Sequence, residues 1–312
     1  MAESRIVVYG AIAANVAIAV TKFVVAGMTG SSAMLSEGIH SAVDSGNGVL
    51  LLIGMHLSER PASAEHPFGH GKELYFWSLI VAVLIFGLGG GVSFYEGVQH
   101  WREPTMVDDA TWNYVVLGAA SLFEGISFSV AWRHFRRETR GRPFWRALLG
   151  SKDPSTFTVL VEDAAALTGL AIAAVGVYAS HALKMPRLDG AASMLIGVLL
   201  AGVAVLLIRE SRSLLIGEGI RPETAARIRE IALAHAEIES VGRPLSMYVG
   251  RDAVLLTLDV EFRPTTPVED VVAAIAALER EVRAQFPVIR QIYVEAARLR
   301  VPGSAAGSAV AP

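Results

Sequence analysis

The chain has 312 residues, of which 53% are hydrophobic and only 18% charged, with a formal net charge of −3. That balance offers no basis for nucleic-acid binding, and the absence of cysteine excludes disulfides and thiolate-held metals. Any bound metal must be held by His, Asp, Glu or neutral oxygens, which favours hard or borderline divalent ions.

The apolar residues crowd into the first two thirds of the chain, the pattern of an α-helical membrane bundle with a soluble appendage. About 20 apolar residues cross the hydrocarbon core. Six segments qualify: Ile6 to Met28, Ser32 to Leu57, Leu74 to His100, Trp112 to Trp132, Ser155 to His181, and Asp189 to Ile208. The first lacks a small-residue cleavage site and is read as a span rather than a signal peptide.

The second span carries His40 and Asp44, at i and i+4, with Asn47 on nearly the same face. Ionisable groups at membrane depth are costly unless they serve a polar site, so this pair is the first functional candidate. The third span has Gly87, Gly89, Gly90 and Gly91, a small-residue run expected to pack closely and offer a dimer face. It also contains Glu96, expected to be interfacial and structural, while the fourth span contains Glu124, a proton relay or a bundle-holding group.

The connection after the fourth span carries Arg133, Arg136, Arg137, Arg140, Arg142, Arg146 and Lys152, whereas Gly27 to Ser32 is uncharged. Positive-inside bias then puts both termini in the cytoplasm. Met1 to Arg5 contains no transit peptide, so a cell (inner) membrane is expected. The fifth span holds the adjacent carboxylates Glu162 and Asp163. Neighbours on a helix diverge by about 100°, so one of the two is expected to face His40 and Asp44. A tetrahedral ion needs four donors, and the fifth span supplies what the second lacks.

After the sixth span the chain changes character. Arg221 to His235 reads as an amphipathic helix, Val254 to Phe262 as a strand, Val268 to Phe286 as a helix and Ile289 to Ala296 as a strand. The expected order is αββαβ, a small α+β domain. Domain bounds follow at 1–210 for the membrane part and 211–300 for the soluble part, with a Pro, Gly, Ser and Ala tail over 301–312 expected to be disordered.

The run Gly30-Ser31-Ser32-Ala33-Met34-Leu35-Ser36-Glu37-Gly38-Ile39-His40-Ser41-Ala42-Val43-Asp44, together with His66-Pro67-Phe68-Gly69-His70-Gly71-Lys72, resembles the cation diffusion facilitators, proton-coupled exporters of divalent metals. Tyr75-Phe76-Trp77-Ser78 and Glu162-Asp163-Ala164-Ala165-Ala166-Leu167-Thr168-Gly169 are most similar to the branch containing zinc transporter 9. The resemblance implies a six-helix transmembrane bundle followed by a ferredoxin-like cytoplasmic domain that makes a homodimer. His40, Asp44 and Asp163 match the family's transport ligands. The position four residues before Asp163, normally His or Asp, is Val159.

Glu162, Asn47 or water is therefore expected to complete the shell, with Glu162 favoured. Zn²⁺ is the first choice of ion, and the oxygen-rich set admits Mn²⁺, Fe²⁺, Co²⁺ or Ni²⁺. His66 and His70 match a loop site of some members, with Glu65 as acidic companion; otherwise that segment is a rigid turn. Asp259 and Glu295 stand at comparable strand positions to the family's cytoplasmic metal ligands, and His235 is solvated.

Every proposed transport ligand titrates, so exchange of a divalent cation for protons is the expected function. No cofactor beyond the transported cation is expected, and the partners are metal ions, protons, membrane lipid and a second copy of the chain. No His-Glu-x-x-His pairing supports a membrane metalloprotease. A metal-binding membrane sensor without translocation is the alternative.

Overall fold

The computed structural model describes residues 2–104, 111–138 and 154–296. The basic connection beyond Glu138 and the tail at 301–312 lie outside the described residues. The chain divides into two compact units, one drawn from the segments up to Arg60 and from Lys72 to Leu215, the other from Pro61–Gly71 and from Ile216 onward.

The first unit is helical: α1 Ala2–Thr29, α2 Ser32–Ser58, α3 Glu73–Arg102, α4 Thr111–Glu138, α5 Pro154–Ala182 and α6 Arg187–Ile216. Four are long and apolar enough to cross a membrane on their described residues, over Glu73–Arg102, Thr111–Arg133, Thr158–Ala182 and Arg187–Ile216. The apolar stretch described in α1 is shorter, Asn15–Thr29. In α2 the apolar run is interrupted by Glu37, His40, Asp44 and Asn47.

Local chemistry places the helix ends. Gly30 has φ 69 and donates its N–H to the Ala26 carbonyl at 2.8 Å, closing α1 with a left-handed residue that glycine adopts without strain. Ser31 then caps α2, its hydroxyl accepting the Met34 N–H at 3.1 Å. The α1–α2 connection is thus two residues long, Gly30 and Ser31, and brings the two helices side by side.

Within α3, Ile85–Val92 is wound as a π-helix through the glycine run. Gly90 and Gly97 face α6, and Gly190 and Gly197 face back. A Cβ on Gly97 would lie 2.6 Å from the Met194 amide, and one on Gly197 would lie 2.7 Å from the Phe94 amide. Where lipid offers no hydrophobic drive, such backbone approach is what holds helices together. The close packing expected of the glycine run is met at Gly90, which is covered by α6 of the same chain, while Gly87 meets nothing within 4 Å. Val25, Met34, Leu51, Ile85, Leu170 and Ile196 fill the interior, and Leu122, Ile126, Val175, Leu195 and Val205 point outward.

The second unit contains α7 Pro222–Leu233, β1 Ile238–Val241, β2 Leu245–Gly250, β3 Ala253–Phe262, α8 Val268–Gln285 and β4 Ile289–Ala296. β3 is central. It pairs antiparallel with β1 and β2, which follow one another along one edge, and parallel with β4 on the other. The expected αββαβ order becomes αβββαβ because Pro244, with no N–H to donate, interrupts the edge strand. Val254, Leu256, Leu258 and Val260 alternate inward from β3 onto Ile228 and Ile231 of α7 and Leu278 and Val282 of α8.

Candidate metal centre

Helix α2 presents one polar stripe, Glu37, His40, Ser41, Asp44 and Asn47, to the interior of an otherwise apolar bundle. The i, i+3, i+4 spacing keeps these side chains on one face. His40 is 2% exposed, and its Nδ1 lies 3.3 Å from Asp44 Oδ2 without hydrogen-bond geometry. Both imidazole nitrogens, Asp44 Oδ1 and Asn47 Oδ1 are buried with no hydrogen-bond partner. An unsatisfied buried polar atom costs about 1–3 kcal/mol, so three neighbouring residues with spare lone pairs suit a cation that would use them.

On α5 the buried stripe runs through Thr158, Ala165, Ala166, Gly169 and Ala173. Glu162 falls on this stripe, and its Oε1 accepts a 3.0 Å hydrogen bond from Asn47 Nδ2 of α2. Asp163, one residue on, turns toward α4, where Ser127 Oγ donates to its Oδ2 at 2.8 Å. The two carboxylates thus diverge as neighbours on a helix must, and Glu162 is the one bonded to the α2 stripe. Val159 is 39% exposed and off the inner face.

Glu124 of α4 is buried within electrostatic range of Asp163, and Asp44 feels Glu162, Glu124, Lys22 and Asp163. Among the described residues, no three His, Asp or Glu side chains converge closely enough to share a metal ion. His40 with Asp44, and Asn47 with Glu162, are two adjacent pairs rather than one closed shell.

Two polar groups that sequence reasoning does not single out are prominent. Lys22 of α1, 1% exposed, lies with Nζ 3.0 Å from Glu37 Oε2 and donates to Ser41 Oγ at 2.8 Å. A lysine inside the apolar first segment was the available signal for it. Asp189 at the start of α6 is fully buried and caps α2. It accepts from the Ser32 N–H at 2.6 Å, the Ala33 N–H at 3.2 Å and the Ser31 hydroxyl at 2.8 Å. Its carboxylate complements the positive end of the α2 dipole.

A cation efflux transmembrane domain matches residues 8–216. The chain belongs to the cation efflux family. It is 33% identical to the proton-coupled zinc antiporter SLC30A9, mitochondrial, of Xenopus laevis and to that of Homo sapiens, in each case over 75% of this chain and 42% of the relative. It is 31% identical to metal tolerance protein C4 of Arabidopsis thaliana over 77% of this chain and 53% of the relative. The chain thus spans about half or less of these relatives' length. It is a cation diffusion facilitator close to the zinc transporter 9 branch, and an integral multi-pass membrane protein.

The remaining expected residues of this cation efflux protein lie in the second unit. The His66 and His70 rings lie against each other at a tilt of 35°, with centroids 4.4 Å apart, around Gly69, whose φ is 85. His70 Nδ1 lies 3.1 Å from the Pro61 carbonyl, and Glu65 is exposed. Asp259 and Glu295 are register partners on β3 and β4, both exposed on the face away from the helices. His235 is partly buried rather than solvated, with Nε2 3.7 Å from Glu281 Oε2. In the first unit, Glu96 makes no ion pair or hydrogen bond among the described residues. It lines a cavity of about 370 Å³ with His100 and Glu103.

Proposed function

We propose that this chain exchanges a divalent cation, Zn²⁺ first, for protons across a membrane. The observation that carries the reading is the buried His40–Asp44 pair, 3.3 Å apart with unused lone pairs, on a helix of a cation efflux bundle. His40 supplies an imidazole nitrogen, Asp44 a carboxylate and Asn47 Oδ1 a neutral oxygen. Glu162, bonded to Asn47, is the fourth donor, and Asp163 joins through a small rotation of α5. One nitrogen among oxygens is a harder set than a His-rich one and admits Mn²⁺, Fe²⁺, Co²⁺ or Ni²⁺ beside Zn²⁺.

Transport follows from competition. A carboxylate or imidazole cannot hold a proton and a metal ion on the same lone pair, so protons entering from one side release the cation captured from the other. Conformational exchange of α2 and α5 relative to their neighbours alternates access to the site. With both termini cytoplasmic, an inward proton gradient drives export from the cytoplasm across the cell membrane. The protein works as a homodimer, with the second unit as the pairing module. The transported ion is the only non-protein component this reading needs. His66, His70 and Glu65 form a lesser loop site, and Asp259 with Glu295 a still weaker one.

The test is reconstitution of the full chain in liposomes and measurement of Zn²⁺, Mn²⁺, Fe²⁺, Co²⁺ and Ni²⁺ uptake under an imposed pH gradient, beside Asp44→Ala. Gradient-dependent uptake lost in Asp44→Ala is the expected result. Binding without uptake in the unaltered protein overturns transport and leaves a membrane metal sensor.

A further inference from the structure

The Lys22–Glu37 pair has no part in ligand chemistry, yet it is the most completely enclosed ion pair among the described residues, at 1% and 0% exposure. Burying an ion pair stabilises a bundle no better than apolar packing of the same volume, so stability does not account for it. Its position is specific. Glu37 lies one turn before His40 and Ser41 on α2, on the side of the metal site nearer the helix N-terminus. Lys22 Nζ is anchored twice to that stripe, at 3.0 Å to Glu37 Oε2 and 2.8 Å to Ser41 Oγ.

The other Glu37 oxygen, Oε1, has no hydrogen-bond partner and backs onto α5 at Gly169, where a Cβ would stand 2.5 Å from it. The pair therefore bridges α1, α2 and α5 in one layer, directly beside the layer that holds His40 and Asp44. An ammonium fixed in a low-dielectric interior repels a second cation strongly, and basic groups exclude cations from pores by this means.

We propose that Lys22, held by Glu37 and Ser41, is a charge gate that closes the path between the His40–Asp44 site and the end of the bundle where α2 begins. A divalent ion leaves toward that end when α1 carries the ammonium aside. While Lys22 is in place, the ion has access from the other end alone, which prevents leakage and keeps metal movement tied to proton movement. This gate rests on the exchange reading above.

The test uses the full chain in liposomes with an internal Zn²⁺ reporter. It reads accumulation against a Zn²⁺ gradient under an imposed pH gradient, and downhill Zn²⁺ flux without one. In Lys22→Met, accumulation is expected to fall by about tenfold or more while downhill flux is kept or raised, as removal of one unit charge from a cation's path requires. Lys22→Arg is expected to restore accumulation. Lys22→Met with Glu37→Gln leaves no unpaired buried charge, so it serves if the single variant does not fold, and it is expected to leak likewise. Wild-type accumulation in either uncharged variant overturns the gate, as does parallel loss of accumulation and downhill flux. If the unaltered protein moves no Zn²⁺ in response to the pH gradient, it is the exchange reading that fails; if it does and the variants match it, only the gate fails.

Discussion

Asn47 on α2 and Glu162 on α5 are joined by a 3.0 Å hydrogen bond, so the helix carrying His40 and Asp44 is tied directly to the fifth helix through Glu162 rather than Asp163. Asn47 donates through Nδ2, which leaves its Oδ1 buried and unpartnered beside the same site. The contact bears on the proposal that Glu162 is the fifth-helix donor to the ion.

Glu162→Gln is expected to weaken Zn²⁺ binding by about 10- to 100-fold, the usual cost of losing a ligand-shell oxygen or its support. Asp163→Asn, whose partner is Ser127 on α4, is expected to cost less. Titration calorimetry on both variants in detergent decides the order, and a larger loss in Asp163→Asn assigns the ligand to Asp163.

Zinc affinity is expected to fall as pH falls. The sign follows because the protonated forms of Asp44, Glu162 and His40 cannot bind metal. Lowering pH therefore shifts each group away from the metal-bound state, by about tenfold in Kd per pH unit for each proton displaced. Kd measured between pH 5.5 and 8 gives the number of protons from the slope; a flat profile removes proton competition at these groups.

Gly97→Leu and Gly197→Val place side chains where the facing backbone lies within 3 Å of the added Cβ. Overpacking of this kind costs about 1–3 kcal/mol or more, seen as a lower Tm in detergent. Gly118→Ala, which meets nothing within 4 Å, is the control expected to leave Tm unchanged or slightly raised.

Asp189→Ala removes the acceptor for the Ser32 and Ala33 amides and the Ser31 hydroxyl. Loss of a helix cap costs about 0.5–2 kcal/mol, and here the uncapped amides are buried, which places the expected loss at the upper end. Asp189→Asn keeps an acceptor and is expected to retain most of the Tm. Equal losses in both variants assign the effect to the charge rather than the cap.

Asp259 and Glu295 are register partners with like charges, a placement that costs about 0.2–1 kcal/mol. Asp259→Asn is expected to stabilise the full chain slightly in chemical denaturation. A stabilisation by added Zn²⁺ that Asp259→Asn abolishes instead establishes a metal site there.

The helices, the His40–Asp44 pair and the inward alternation of β3 were legible in the linear order, because hydropathy period and i, i+4 spacing are properties of neighbours in the chain. The broken edge strand was less legible: pairing continues through Gly242, whose amide donates to the Asp259 carbonyl, and only Pro244 marks the interruption. The divergence of Glu162 and Asp163 was predictable from helix geometry, but not which helix each meets.

The membrane class, the family and the polar stripe of α2 were readable from the linear order alone, since each rests on local pattern. Tertiary structure decided the pairing of Lys22 with Glu37 and the bond from Asn47 to Glu162. It also decided the capping of α2 by Asp189, 157 residues away from Ser32, and the interleaving of Gly97 with Gly190. Contacts across such separations leave no periodic trace in the chain. They are set by the cost of leaving polar groups unpaired in an apolar interior, which only the packed arrangement of helices can satisfy.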